Sequence, residues 1–216
     1  HGILPHIRFG TRVQSADWDS ATDTWTVHVT ENGEAKRYRS RFVFFGSGYY
    51  NYNDPYTPEF SGIENFAGTV IHPQNWPEDL DYTGKRIVVI GSGATAVTLV
   101  PTLAQSAAQV TMLQRSPTYF YCYPNRSDLA DRLREIGVDE DTVHRCVRLD
   151  YLYNLKQLDR RAREEPDLVF EELKALIREY AGPDFEFEPD FTPRYRPWQQ
   201  RLAFIPDGDM FTAIRE

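Results

Sequence analysis

Residues Thr24 to Thr30 (T-W-T-V-H-V-T) alternate apolar and polar side chains at the period of two expected of a half-buried strand. Ile7 to Val13 carries a looser version of the same pattern, and Asp17 to Asp23 (D-W-D-S-A-T-D) is a run of turn formers between them. An Asn-Gly pair, Asn32-Gly33, follows the second run and predicts a tight hairpin. Arg41 to Phe45 (R-F-V-F-F) is almost continuously apolar and stops at Gly46-Ser47-Gly48, which predicts a buried strand ending in a glycine turn. The first 50 residues thus predict a β-meander followed by one further strand.

Asn51 to Gly62 is broken by Pro55, Pro58 and Gly62, and a domain crossing is expected there. The pattern then changes: Arg86 to Ile90 reads as a strand, Ala94 to Gln105 as a helix and Gln109 to Gln114 as a second strand. Pro101 lies inside the helix and is expected to disturb its ladder, because it supplies no N–H. From Asp128 to about Tyr180 the spacing is helical. One stripe comprises Val143, Cys146, Val147, Leu149, Tyr151, Leu152 and Leu155; a second, opened by Pro166, comprises Val169, Phe170, Leu173, Leu176 and Ile177. Both stripes predict core. Asp184 to Trp198, acidic and aromatic with three prolines, reads as extended loop. The fold class is α/β: a Rossmann-like dinucleotide domain with a helical insertion over residues 54–216, preceded over residues 1–53 by a β-meander.

Gly91-Ser92-Gly93-Ala94-Thr95-Ala96 fits G-x-G-x-x-A between the predicted strand and helix. The first Gly permits the turn, the second lets a pyrophosphate approach the backbone, and Ala96 lets the helix pack close. Free N–H groups at the helix start then face the phosphates. In NAD sites the end of the second strand carries a carboxylate for the ribose 2′-hydroxyl. Here Gln114-Arg115-Ser116 stands there instead, and a guanidinium beside a hydroxyl suits a 2′-phosphate. The cofactor expected is NADP(H); the plainer alternative for Arg115 is a surface cation.

A net charge of −8 argues against nucleic acid or an anionic membrane as partner. Arg160-Arg161-Ala162-Arg163 is followed at once by Glu164-Glu165 and reads as a solvated helix face. No apolar run approaches the roughly 18 residues of a membrane span. Cys122 and Cys146, 24 positions apart, make neither a metal site nor a C-x-x-C pair and fit a reduced, cytoplasmic setting. The absence of an initiator Met, and an end at Ala213 to Glu216 inside a helical pattern, lead to the expectation of a piece of a longer protein.

Phe66-Ala67-Gly68-Thr69-Val70-Ile71-His72-Pro73-Gln74-Asn75-Trp76-Pro77 matches F-x-G-x-x-x-H-x-x-x-W-P, with His72 19 positions before Gly91. This string resembles the fingerprint of Baeyer–Villiger and related flavin-dependent monooxygenases. Gly46-Ser47-Gly48 resembles the hinge motif of those enzymes, and Gln114 to Pro117 their 2′-phosphate stretch. The resemblance implies an FAD- and NADPH-dependent oxygenation, by O2, of a ketone or a nitrogen- or sulfur-containing small molecule. It also implies an Arg that stabilises an anion during the reaction. Arg201, in Pro197-Trp198-Gln199-Gln200-Arg201, is the best match, against the alternative of an ion-paired structural Arg. His72 is open between general acid/base and a structural imidazole bonded to backbone on both sides of the crossing; Trp76 reads as a packing anchor, and Phe66 and Gly68 as turn formers. No second G-x-G-x-x-G precedes the meander, so the main FAD-binding segment is absent from this chain, and the unpartnered strand edges invite self-association. Two other functions stay open: an NADP(H)-binding module or sensor without chemistry, and a flavoprotein disulfide reductase, which needs a redox cysteine pair.

Overall fold

The computed structural model describes residues 2–48 and 50–216. It divides into two compact units, 1–74 and 75–216.

In the first unit, β1 (Thr11–Asp19), β2 (Thr24–Glu31) and β3 (Glu34–Ser40) form an antiparallel meander in that order. Glu31 pairs with Glu34 across Asn32-Gly33, whose φ values of 50° and 87° are those of the primed turn that matches strand twist. Contrary to expectation, Ile7 to Gly10 is not strand, and β1 runs on through Asp17 to Asp19. A register shift between Val13 and Ser15 lets Trp18 face Trp25, their rings 5.5 Å apart. The turn begins only at Asp19, whose carboxylate accepts from the Ala21 N–H (2.9 Å) and the Thr22 hydroxyl (2.8 Å). Among the described residues the one buried carboxylate, Glu31, is held by Lys36 (2.6 Å), Tyr38 (3.1 Å) and Arg8 (3.6 Å). These donors keep its carboxyl below the ordinary range.

Arg41 to Phe45 also departs from expectation, for it forms no strand. It pairs with no described strand, and Phe42 and Phe44 are almost fully exposed. Phe45 makes one edge contact, to Trp25.

In the second unit, β4 (Arg86–Ile90), α1 (Ala94–Ala104) and β5 (Gln109–Leu113) form the expected βαβ, with β4 and β5 parallel. The helix continues through Pro101, which is buried. Two further strands, β6 (Tyr119–Tyr123) and β7 (Leu202–Pro206), pair in parallel as a separate ladder. Between them lie α2 (Asp128–Glu135), α3 (Glu140–Glu164) and α4 (Pro166–Ala181), and α5 (Asp209–Arg215) follows β7. Ser127 caps α2 and Asp139 caps α3 through backbone N–H groups. The core joins α1 (Val97, Val100), the two middle strands (Phe120, Cys122, Ile205), α4 (Ile177) and α5 (Met210, Phe211). Phe187 enters that core from the 184–198 segment, which is irregular as expected yet packed rather than solvated.

The α3 stripe is a correction. Val143 is buried, but Leu149, Tyr151 and Leu152 are about half exposed or more, because α3 packs on α2 and α4 and nothing described covers its middle. The α4 stripe does form core, with Val169, Leu173 and Ile177 buried.

Candidate functional site

The Gly91 N–H donates to the Leu113 carbonyl (2.7 Å), so the chain leaves β4 directly beside the end of β5. Gly91 sits at φ 130°, a conformation open to Gly and strained for any L side chain. Gly93 is the N-cap of α1 in ordinary extended geometry (φ −83°), with no side chain bonding the helix start. A Cβ built on Gly91 or Gly93 meets nothing within 4 Å. The N–H groups of Ala94, Thr95 and Ala96 have no helical acceptor. Ala96 is buried under the turn, while Ala94 and Thr95 are exposed and Ser92 is half-buried. The result is an open cradle with unspent donors and positive dipole, which fits a diphosphate.

At the end of β5 the three predicted residues part ways. Arg115 and Ser116 are exposed, and among the described residues no carboxylate lies within ion-pair distance of Arg115. Gln114 instead turns inward: its Nε2 donates to the Asp190 carbonyl (2.5 Å), and its Oε1 is buried without a partner. Gln114 thus ties the end of β5 to the 184–198 segment.

The fingerprint residues divide between the units. In the first, the Phe66 ring lies over Gly68, where a Cβ would come within 2.5 Å of it, so a side chain there would have to displace the exposed ring. His72 Nδ1 accepts from the Gln74 N–H (3.2 Å), which leaves Nε2 as the protonated nitrogen of the neutral ring. Gln74, not His72, reaches back to the Asn51 carbonyl (2.8 Å). Sequence reasoning missed Gln74, because an exposed Gln carries no pattern. Trp76, in the second unit, packs edge-on against Tyr82, with ring centroids 6.1 Å apart. Gly46, Ser47 and Gly48 lie exposed in irregular chain.

Arg201 directly precedes β7. Its side chain is exposed, and among the described residues it has no ion pair, so the structural-salt-bridge alternative has no partner to rest on. Its carbonyl is approached by Thr118 Oγ1 (3.3 Å) and Tyr195 Oη (3.4 Å), which are 2.9 Å from each other. Tyr119 Oη donates to the Tyr195 carbonyl (2.5 Å). Three residues earlier, Trp198 adopts φ 66°, and its indole N–H is buried without an acceptor. Trp198 also closes one side of an open groove of about 350 Å3 with Leu152, Leu155, Lys156 and Asp159 of α3.

Cys122 is fully buried, and burial, with Asp209 and Glu179 nearby, pushes its thiol up to about 12. Such a thiol is inert at neutral pH, and Cys122 and Cys146 are both free, which gives the disulfide-reductase alternative no support. Among the described residues no cluster of His, Cys, Asp or Glu is arranged to hold a metal. Among the described residues no helix is long and apolar enough to cross a membrane.

The model of the flavin-binding monooxygenase-like family matches residues 1–126. The FAD-containing monooxygenase EthA of Mycobacterium tuberculosis is 45% identical over all 216 residues, which cover 44% of that relative. The probable FAD-binding monooxygenase AlmA of an Acinetobacter species is 42% identical over 97% of this chain and 42% of its own length. The chain therefore spans less than half the length of these curated relatives. Among solved structures, an oxidised steroid monooxygenase bound to NADP aligns over 99% of this chain and 46% of its own, with a TM-score of 0.60 and 22% identity. OTEMO in complex with FAD and NADP aligns over 98% of this chain and 46% of its own, with a TM-score of 0.60 and 20% identity. At these identities the likeness is one of fold.

Proposed function

Because this chain belongs to the flavin-binding monooxygenase-like family, we propose that it is the NADP(H)-holding portion of an FAD- and NADPH-dependent monooxygenase. Its substrate is a small ketone or a nitrogen- or sulfur-containing organic molecule, oxygenated by O2 in the cytoplasm. One observation carries the cofactor assignment: Arg115, a permanent cation without a carboxylate partner among the described residues, stands two positions past the end of β5, whose last residue bonds the Gly91 turn.

When bound, NADPH and FAD supply the two electrons that let O2 yield one oxygen atom to substrate and one to water. The residues of this chain bind, orient and neutralise. The N–H groups of Ala94 to Ala96 hold the pyrophosphate, and Gly93 leaves it room to approach. Arg115 holds the 2′-phosphate, with Ser116 adding a hydroxyl. Arg201, exposed and unpaired, brings a fixed positive charge to an anion formed during the reaction. The bond between His72 and the Gln74 N–H favours the structural reading of the imidazole. FAD is a different matter, for no described residue before β4 forms a glycine turn leading from a strand into an α-helix. No step on FAD follows from these residues, and residues 1–74 serve as the flank of a flavin site, not its phosphate cradle.

Titration calorimetry of the chain with NADP+ and NAD+ tests the cofactor assignment. The unmodified chain prefers NADP+, and Arg115→Ala erases most of that preference, at a cost of roughly 1.5–3 kcal/mol for a lost charge-assisted bond. Equal affinity for both dinucleotides in the unmodified, folded chain overturns it.

A further inference from the structure

The loop that presents Arg201 gathers three unusual features within a few residues. Trp198 holds a left-handed backbone conformation, φ 66°, unfavourable for a bulky side chain. Its indole N–H is buried and unbonded. Arg201, which ends the loop, has two hydroxyls converging on its carbonyl. Strain and unmet hydrogen bonding in a native fold persist only where surrounding structure holds them in place, and they concentrate at functional sites.

The holding structure is identifiable. Thr118 precedes β6, and Arg201 precedes β7, in the register that pairs Tyr119 with Leu202. Thr118 is buried, and its hydroxyl lies 2.9 Å from that of Tyr195. The three groups form a triangle: two hydroxyls, with one proton each, and one carbonyl that only accepts. If Thr118 donates to Tyr195, then Tyr195 donates to the Arg201 carbonyl; if Tyr195 donates to Thr118, then Thr118 donates to it. Either way the carbonyl receives a hydrogen bond, and removal of one hydroxyl leaves the other free to donate. Tyr195 is itself anchored, by the bond from Tyr119 to its carbonyl.

We infer that Thr118 and Tyr195 are redundant positioning residues for Arg201, fixing the backbone from which its guanidinium reaches the reacting groups. This rests on the proposed role of Arg201, and redundancy gives it a signature that packing alone does not have. Thr118→Val and Tyr195→Phe each leave one donor, so each single variant stays close to wild type. The double variant leaves the carbonyl without a side-chain donor and loses roughly tenfold, far more than the two singles combined. Thr118→Ser in the Tyr195→Phe background retains the donor and restores the single-variant behaviour.

The test uses the full-length protein that contains this chain, with two readouts. One is amide hydrogen exchange of the peptide spanning 196–203, which needs no turnover. The other is the fraction of consumed NADPH recovered as oxygenated product from cyclohexanone or methyl phenyl sulfide. The expected result is loss of exchange protection and of that fraction in the double variant alone, with NADP+ affinity held. A double variant that exchanges like the singles overturns the inference, as do single variants each as impaired as the double. So does loosened exchange without a fall in product where Arg201→Ala abolishes product. If Arg201→Ala leaves product formation at the wild-type level, it is the proposed role of Arg201 that fails. The redundant clamp is then decided by exchange.

Discussion

Gly91 and Gly93 stand two residues apart in one turn, and the structure separates what a side chain costs at each. At Gly91 the obstacle is the backbone. A φ of 130° lies outside the regions open to L side chains, although the space around the Cβ position is empty. Gly91→Ala therefore costs folding stability, about 1–3 kcal/mol for a residue held in such a region. For a domain of this size that corresponds to a fall in melting temperature of about 2–4 °C per kcal/mol. At Gly93 neither obstacle exists: φ is −83°, and an added Cβ meets no atom within 4 Å. Gly93→Val is thus neutral for the fold to within about 1 kcal/mol. Its isopropyl group, however, fills the open side of the α1 N-terminus, where the pyrophosphate must bond free N–H groups. Losing two such charge-assisted bonds at roughly 1.5–3 kcal/mol each lowers affinity by a factor of a hundred or more. The assay is a pair of measurements on both variants: thermal melting by circular dichroism, and NADP+ affinity by calorimetry. The expected pattern is a lower melting temperature for Gly91→Ala and lost binding at unchanged melting for Gly93→Val. Wild-type NADP+ affinity in Gly93→Val would falsify the placement of the cofactor on this helix.

Four further outcomes follow from the structure. Iodoacetamide at neutral pH labels Cys146 and spares Cys122 until the chain unfolds, as peptide mass mapping shows; equal labelling of the native protein refutes the burial argument. Because folding raises the Cys122 thiol from 9.0 to about 12, its contribution to stability is complete below pH 9.0 and is lost as the pH climbs toward 12. Glu31 has the opposite sign: its carboxyl is lowered from 4.5, so its contribution is present above that value and lost as the pH falls through the folded one. Glu31→Gln should flatten that acid transition, followed by the exciton circular dichroism of the Trp18–Trp25 pair, and an unchanged transition excludes Glu31 as its cause. Finally, a purified polypeptide of these 216 residues is expected to bind NADP(H), retain no stoichiometric FAD and self-associate through the bare Phe42–Phe44 segment. A monomeric yellow protein in light scattering and absorbance runs against the last two expectations, and calorimetry that shows no NADP(H) binding runs against the first.

How much of the fold could be read in advance depended on the range of the interactions that decide it. The β2–β3 hairpin was legible because Asn32-Gly33 and the alternation of Thr24 to Thr30 are local signals. The β4–α1–β5 unit was legible because Gly91 and Gly93 set turn, cap and ligand approach within a few positions. The ends of β1 were not, since Asp17 and Asp19 are turn formers by type and only pairing with β2 holds them extended. Arg41 to Phe45 shows the converse: apolar composition predicts a buried strand, but a strand also needs an edge to pair with. The crossing expected near residue 54 follows local punctuation. Compactness places the division at Gln74, and the bond from Gln74 to the Asn51 carbonyl is one reason the intervening residues stay with the first unit.

The candidate site divides along the same line. Arg115 stands out in the sequence because a position just past the second strand has a defined chemical task in a βαβ dinucleotide fold, and an Arg there in place of a carboxylate can be read from one position. β6 and β7, by contrast, carry aromatic runs with no clear period, and their pairing joins residues 83 positions apart. Everything that supports Arg201 passes through that pairing: Thr118, Tyr195 and the anchored carbonyl become neighbours only when β7 lies beside β6. The sequence shows a Thr after a Pro and a Tyr between two Args, and neither spacing signals a shared partner. Gln114 illustrates the point from the other side. It was grouped with Arg115 and Ser116 as a phosphate ligand by adjacency, yet its amide is committed to the Asp190 carbonyl. The stretch from Gln114 to Tyr119 therefore has two faces. Arg115 and Ser116 are exposed, while Gln114, Thr118 and Tyr119 bond to the 190–201 segment that leads into β7. The two cations proposed for different tasks, Arg115 and Arg201, thus stand on two segments bound directly to each other.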